Sequence, residues 1–362
     1  MLKRIYVDNY KCLVNFETGL DQLNLFLGGN GTGKTTVFQV LQALQAFITD
    51  SARLNQLFPT SCLTRWQTSP VQQFSFSVQD KTDTYTYELA LEHDDRGQSR
   101  VTKETVRLGD QPLFLFEMGT VHLFLDDFSP GSSFSFDWQM SGLNTITERH
   151  DNKHLTRFKA AVAQWVIVEV DARSMTDTCV GEDSRPAPNM ANFTAWLRFL
   201  SQEHQDLYLE LVQELKELLP DFISFRFVSV GEDVKSLRLL FGKQKLECRF
   251  SELSDGQRSL IALETLLHCL PNTALLIDEP ENFLALPEIQ PWIAALQDRC
   301  EDGQLQAVII SHHPQYIDFL AANNGIWFER NQNTPARVRR IDPAEENGVA
   351  MSELIARGWL RE

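Results

Sequence analysis

The segment Gly28-Gly29-Asn30-Gly31-Thr32-Gly33-Lys34-Thr35 places four glycines, a lysine and two threonine hydroxyls within eight positions. This is the pattern G-x-x-x-x-G-K-[ST], in which backbone N–H groups cradle phosphates, the lysine reaches the β and γ groups and the hydroxyl binds Mg²⁺. The nucleotide-contacting set it defines is Asn30, Gly31, Gly33, Lys34, Thr35 and Thr36. Far downstream, Leu275-Leu276-Ile277-Asp278-Glu279-Pro280 ends an apolar run in two carboxylates. Side chains alternate along a strand, so the two point in different directions: Asp278 suits a Mg²⁺ shell and Glu279 an attacking water. Val308-Ile309-Ile310 is a second apolar run, and it delivers Ser311, His312 and His313. In open parallel sheets ligands bind beyond the C-terminal strand ends. Lys34, Asp278 and His312 are therefore expected to converge on one nucleotide.

A third stretch, Leu253-Ser254-Asp255-Gly256-Gln257, changes the picture. Ser254 with Gln257 three residues later is a capping box, opening a helix whose buried face carries Ile261, Leu263, Leu266, Leu267 and Leu270. Such a helix start is also an anion site, and Gly256 permits close backbone approach. One nucleotide does not need two phosphate cradles from the same face. The consistent arrangement is a head-to-tail homodimer formed on ATP binding, in which Ser254, Asp255, Gly256 and Gln257 of one copy close on the γ-phosphate held by Lys34 of the other. The chemistry is nucleotide hydrolysis between two copies of the chain.

These residues need particular elements beneath them. Leu23-Asn24-Leu25-Phe26-Leu27 reads as a strand entering the phosphate loop and Thr36 to Phe47 as a helix leaving it. Ala274 to Ile277 is apolar at successive positions, as a central parallel strand covered on both faces requires. Between these parts the period becomes two: Phe74, Phe76 and Val78, then Tyr85, Tyr87, Leu89 and Leu91, then Leu113 to Phe116 and Val121 to Leu125. Residues 71 to 140 are expected to form an antiparallel meander. Trp165 to Val170 is another strand, followed by a loop with Gly181, Pro186 and Pro188. Helical spacing then covers Phe193 to Leu200 and Leu207 to Leu219, and strands return at Phe222 to Val230, Leu237 to Phe241 and Leu246 to Phe250.

A chain of 362 residues with 43% hydrophobic content can bury a full α/β core. No run of about 18 uninterrupted apolar residues exists, and Met1 to Asp8 alternates like a strand rather than a secretory signal. No membrane is expected as a partner, and the cytoplasm is the default address. Cys12, Cys62, Cys179, Cys248, Cys269 and Cys300 are scattered without a C-x-x-C pair, so neither a zinc knuckle nor a disulfide frame is indicated. His150 and His154 lie four apart, but no third metal ligand is evident. The net charge of -16 argues against a constitutive, non-specific DNA coat. Lys243 with Lys245, and Arg337 with Arg339 and Arg340, are the local basic groups that leave nucleic acid open as a partner.

Leu253-Ser254-Asp255-Gly256-Gln257 resembles the signature of ABC-type ATPase heads within the RecF, SMC and OLD-like branch. The opening run Ile5 to Lys11, the run Asn189 to Leu197, and Asp278-Glu279-Pro280-Glu281-Asn282 are also similar to AAA-type ATPases of the OLD-like group. The resemblance implies an α/β fold, a P-loop NTPase of ABC-head type with a mixed central sheet, an antiparallel β-meander and a helical lobe. It implies one discontinuous unit: an N-terminal part over 1–170, a helical lobe with returning strands over 171–250, and a C-terminal part over 251–362. It further implies ATP and Mg²⁺ as ligands, with Lys34 and Thr35 on phosphate and metal, Asp278 on Mg²⁺ and Glu279 as catalytic base. Ser254 and Gly256 would act in trans, and His312 would sense the γ-phosphate.

Departures from the pattern exist. Leu284-Ala285-Leu286-Pro287 stands where many relatives carry His-Pro, and the glutamine that usually bridges Mg²⁺ and water has only Gln72 or Gln73 as weak candidates. No long coiled coil is present, and only about fifty residues follow His312, too few for a nuclease domain. The expectation is an ATP-driven switch acting on a separate effector or nuclease, as in prokaryotic antiphage defence. The rivals are a RecF-like DNA-repair clamp, a ring-forming AAA+ motor, and a nucleotide sensor with little turnover.

Overall fold

The structure, a computed structural model, describes residues 1–94, 96–341 and 350–357. The end of the expected C-terminal part, 342–349 and 358–362, lies outside the described residues. In chain order the first elements are β1 (Leu2–Asp8), β2 (Phe16–Gly19), β3 (Leu23–Gly28), α1 (Lys34–Thr49), α2 (Leu54–Leu57), β4 (Val71–Asp80), β5 (Asp83–His93), β6 (Ser99–Leu108), β7 (Gln111–Glu117), β8 (Thr120–Phe124), β9 (Pro130–Ser135) and α3 (Lys153–Ala163). Then come β10 (Val166–Glu169), β11 (Thr178–Cys179), α4 (Phe193–Glu203), α5 (Gln205–Leu218), β12 (Phe222–Ser229), β13 (Lys235–Phe241), β14 (Leu246–Arg249), α6 (Asp255–His268) and β15 (Ala274–Asp278). The last are α7 (Leu286–Glu301), β16 (Gln306–Ile310), α8 (Pro314–Asn324), β17 (Gly325–Glu329), β18 (Arg337–Arg340) and α9 (Met351–Ala356). The chain divides into two compact units, Met1–Trp165 with Leu320–Glu362, and Val166–Phe319. Among the described residues no helix is long and apolar enough to cross a membrane.

The first unit contains the expected meander as an antiparallel sheet in the order β2-β1-β4-β5-β6-β7-β8-β9. Period two works here as alternation requires: Phe76 pairs with Tyr87 and Phe74 with Leu89, and these side chains are buried together. Phe76 also packs 5.0 Å from Trp165, and Phe158 of α3 stacks on Phe76 and Tyr87 at 6.0 Å. The opening strand joins this sheet, with Ile5 opposite Phe76 and Val7 opposite Phe74. In the same unit β3 pairs in parallel with β17, which pairs antiparallel with β18. Every residue of β3 is buried. Phe26 lies 4.8 Å from Phe328, so the strand feeding the phosphate loop is clamped by aromatic packing.

In the second unit β15 runs between β10 and β16, all parallel. Ala274 to Ile277 and all five residues of β16 are buried, as expected for strands covered on both faces. α6 buries every residue from Ser259 to Leu267, and the Trp292 indole of α7 donates to the Leu263 carbonyl at 3.0 Å. β12, β13 and β14 form an antiparallel sheet that β11 joins at β13. β11 lies within the segment read from sequence as loop. That segment is held by Asn192, whose side chain accepts from Ala187 N–H (2.7 Å) and donates to Asp183 (2.7 Å).

Candidate active site

The phosphate loop belongs to the first unit. Gly28 closes β3 at φ 140, where a Cβ would sit 2.3 Å from the Phe328 carbonyl oxygen, and Gly33 opens α1 at φ 110. Only glycine adopts these angles without strain, which is why the spacing of the motif is fixed. Thr32 donates its hydroxyl to Gly29 O (2.8 Å). Lys34 is buried and donates to Gly28 O (2.8 Å) and Gly29 O (3.0 Å). Asn30, Gly31 and Thr35 are exposed and Thr36 is half-buried. The N–H groups that open α1 therefore border an accessible loop suited to an anion.

Arg330 carries no sequence signal of its own, yet it braces this loop. Its Nη1 donates to Gly31 O (3.1 Å), its Nε to Thr334 O (3.0 Å), and its guanidinium lies 5.3 Å over the Trp66 ring. A cavity of about 430 Å³ opens here, lined among others by Gly29, Asn30, Thr32, Glu329 and Arg330. The other basic candidates of this unit are engaged locally: Arg337 donates to Val14 O (3.0 Å) and Arg340 pairs with Asp21 (2.8 Å). Gln72 is wholly buried, donating to Asn9 O (2.7 Å) and bonding His93 Nε2 (2.9 Å), whereas Gln73 is exposed.

The second unit carries Asp278, Glu279, His312 and the 253–257 segment. Asp278 ends β15 half-buried. Glu279 is already beyond the strand, at φ 46, with its N–H donating to Ile310 O (2.8 Å). Glu279 thus follows Asp278 in a left-handed turn and not as the next residue of the strand. A non-glycine residue held there costs on the order of 1–2 kcal/mol. Asn282 donates to Glu279 Oε2 (3.2 Å) and His312 Nε2 lies 3.9 Å from Glu279 Oε1. Glu281, two residues on, accepts from the Ser311 hydroxyl (2.7 Å) and from His312 N–H (3.3 Å). Burial pushes the Glu281 carboxyl above its ordinary range despite these bonds.

Ser254 caps α6 as the capping box predicts: its hydroxyl accepts from Gln257 N–H (3.2 Å) and Gln257 Oε1 accepts from Ser254 N–H (3.2 Å). The Ser254 side chain faces solvent. Asp255 is held between Arg173 (3.2 Å) and Arg258 (2.5 Å), and the Arg173 bond is the largest cause keeping its carboxyl below the usual range. Arg173 also lies 5.1 Å over the Phe283 ring. A Cβ on Gly256 would meet the Phe283 carbonyl oxygen at 2.8 Å. Glycine is therefore required here by the chain's own turn, independently of any phosphate. Helix propensity favours alanine at this position by about 1 kcal/mol, but overlap with a backbone atom costs about 1–3 kcal/mol. Gly256→Ala is expected to lower the unfolding free energy by a net of about 1 kcal/mol, read as a lower urea midpoint; an unchanged or raised midpoint would show that the turn yields. The segment Leu284 to Pro287 opens α7, where Glu288 accepts from Ala285 N–H (2.9 Å).

No group of three or more His, Cys, Asp or Glu that could hold a metal by itself is found among the described residues. Mg²⁺ does not need one, since it is held by one or two protein oxygens, waters and phosphates. The Thr35 hydroxyl and the Asp278 carboxylate are donors of that kind. His154, at the start of α3, instead stacks on Phe128 at 6.1 Å.

A family profile described as "AAA domain, putative AbiEii toxin, Type IV TA system" matches residues 23–318. No curated protein matches the sequence. Among solved structures, the chain is similar to the one described as "Crystal structure of the SmcHead bound to the C-winged helix domain of ScpA". The TM-score is 0.56 at 11% identity, covering 95% of this chain and 99% of that one. It also matches the SMC head domain from Thermotoga maritima, with TM-score 0.48, 12% identity, and coverage of 94% and 99%. The first likeness is one of fold.

Proposed function

This chain belongs to the AAA-domain family whose profile spans residues 23–318, and from that membership we propose that it is a Mg²⁺-dependent ATP hydrolase. Two copies close around nucleotide, and the cycle switches a separate effector. The observation that carries the reading is the turn after β15, where Glu279 is held in a left-handed conformation with Asn282 and His312 on its two oxygens. A carboxylate so placed can take a proton from water as that water's oxygen bonds to the γ-phosphorus. The bond to the bridging oxygen breaks, and its electron pair leaves on ADP. Lys34 and the loop N–H groups bind the phosphates, with Asn30, Gly31, Gly33, Thr35 and Thr36 as their neighbours. Thr35 and Asp278 would hold Mg²⁺, which when bound neutralises charge on the β and γ oxygens. His312 reads the γ-phosphate, and Ser254 to Gln257 act on the nucleotide of the partner copy.

The family's description in terms of a toxin–antitoxin system supports a partnered role in prokaryotic defence over a stand-alone repair clamp. The test is phosphate release from ATP with and without Mg²⁺, together with molecular mass by light scattering. Mg²⁺-dependent release and an ATP-dependent shift from monomer to dimer are expected. Hexamers would favour a ring motor, and ATP-dependent, salt-sensitive binding of a DNA duplex would favour the clamp.

A further inference from the structure

The last bond of the β15–β16 ladder is Glu279 N–H to Ile310 O, at 2.8 Å. Beyond it the two chains part, one into the turn 279–284 and the other into Ser311-His312-His313. Glu281 bridges this gap. Its Oε1 accepts from the Ser311 hydroxyl (2.7 Å) and the His312 N–H (3.3 Å), while Ser311 Oγ accepts in turn from His313 N–H (3.0 Å). The turn that carries Glu281 is tightened by Asn282 N–H to Glu279 O (3.2 Å) and Leu284 N–H to Glu281 O (3.1 Å). Glu281 Oε2 is buried with no hydrogen-bond partner. Burying a carboxyl in this way is costly, and an apolar side chain would fill the turn without that cost. What an apolar side chain could not do is fix the backbone of His312 to the turn that presents Glu279.

Resting on the hydrolytic reading above, we propose that Glu281 is a positioning residue, which couples the placement of His312 to the seating of the Glu279 turn. Its bonds run to the Ser311 hydroxyl and the His312 N–H. Its contribution passes through His312, so its loss should change the rate of the chemical step and not the binding of nucleotide. It should also have no effect once His312 is gone.

The experiment compares kcat for ATP, and Kd for a fluorescent ATP analogue, across a set of variants. Glu281→Ala is expected to lower kcat about tenfold, the factor set by losing hydrogen bonds of ordinary strength, with Kd within about twofold of the parent. Glu281→Gln keeps the accepting oxygen and is expected to recover most of the lost rate. Ser311→Ala removes one donor to Glu281 and the acceptor of His313 N–H while leaving the His312 N–H bond to Glu281, and is expected to lower kcat about threefold, with thermal unfolding as the check on its fold. In the double variant Glu281→Ala/His312→Ala the rate should be no lower than in His312→Ala alone. The coupling is overturned by a parental rate in Glu281→Ala, by no recovery in Glu281→Gln, or by a double variant that multiplies the two single losses. If Glu279→Gln is inactive while Glu281→Ala is fully active, this inference alone fails. A fully active Glu279→Gln removes the hydrolytic reading, and the coupling with it.

Discussion

Phosphate release by the Glu279→Gln variant is expected to fall about a thousandfold, the usual contribution of a positioned general base, while ATP binding persists. The glutamine keeps the size of the side chain and its bond from Asn282, which donates to Oε2 at 3.2 Å, but cannot take a proton from water. With hydrolysis stopped, the closed state should accumulate, and gel filtration with light scattering should show a nucleotide-loaded dimer. Adding Ser254→Arg should return the protein to monomer. Ser254 is exposed at the first turn of α6, and a guanidinium there blocks the approach of a partner's phosphate. That substitution also breaks the capping box, at about 1 kcal/mol, so thermal unfolding of the double variant separates lost assembly from lost folding. A Glu279→Gln protein that stays monomeric at every ATP concentration would remove the shared-pocket mechanism.

Glu104 produces the second large effect, on stability. It lies in β6 wholly buried, with Oε1 accepting from Tyr87 OH (2.9 Å) and Ser141 Oγ (2.6 Å), and with Oε2 unpartnered. Burial pushes its pKa from the ordinary 4.5 up to about 7, against the opposing pull of those hydrogen bonds. The folded state therefore prefers the protonated carboxyl. The stabilisation is fully present below pH 4.5, is lost progressively as pH rises to about 7, and is absent above that. Over that window the loss is on the order of 3 kcal/mol, from 1.36 kcal/mol per pH unit. Unfolding free energies from urea titrations of the wild type at pH 5 and pH 8 should differ by about 2.5 kcal/mol more than those of Glu104→Gln. The amide adds a constant cost at both pH values, so the difference between the two pH values is the diagnostic quantity. Parallel pH profiles for the two proteins would show that the carboxyl is not neutral in the fold.

The fold was legible wherever hydrophobic period and burial agree. Phe74, Phe76 and Val78 face Tyr85, Tyr87 and Leu89 as period two requires, and the apolar run Ala274 to Ile277 is a covered strand. β6 shows no such alternation because Glu104 and Thr105 occupy buried positions, and only the neighbouring strands place it. Within the candidate site, the phosphate loop and the capping box could be read because each is a contiguous pattern with a local physical cause. Arg330, Arg173 and Glu281 could not, since each acts on residues brought near only by folding: Gly31 is 299 positions from Arg330, and Ser311 is 30 from Glu281. Gly256 was legible as a residue that permits close backbone approach, and the fold adds a neighbour no sequence pattern showed, the Phe283 carbonyl oxygen 2.8 Å from where a Cβ would sit.

The lysine of the phosphate loop already satisfies two carbonyl oxygens, at 2.8 and 3.0 Å. On the proposed reading, nucleotide capture would be an exchange, in which one set of oxygen acceptors is traded for another around the Lys34 cation. The two carbonyl contacts given up would offset part of the gain from the phosphate oxygens. The compensation is entropic, because a loop that holds its own shape need not be ordered by its guest.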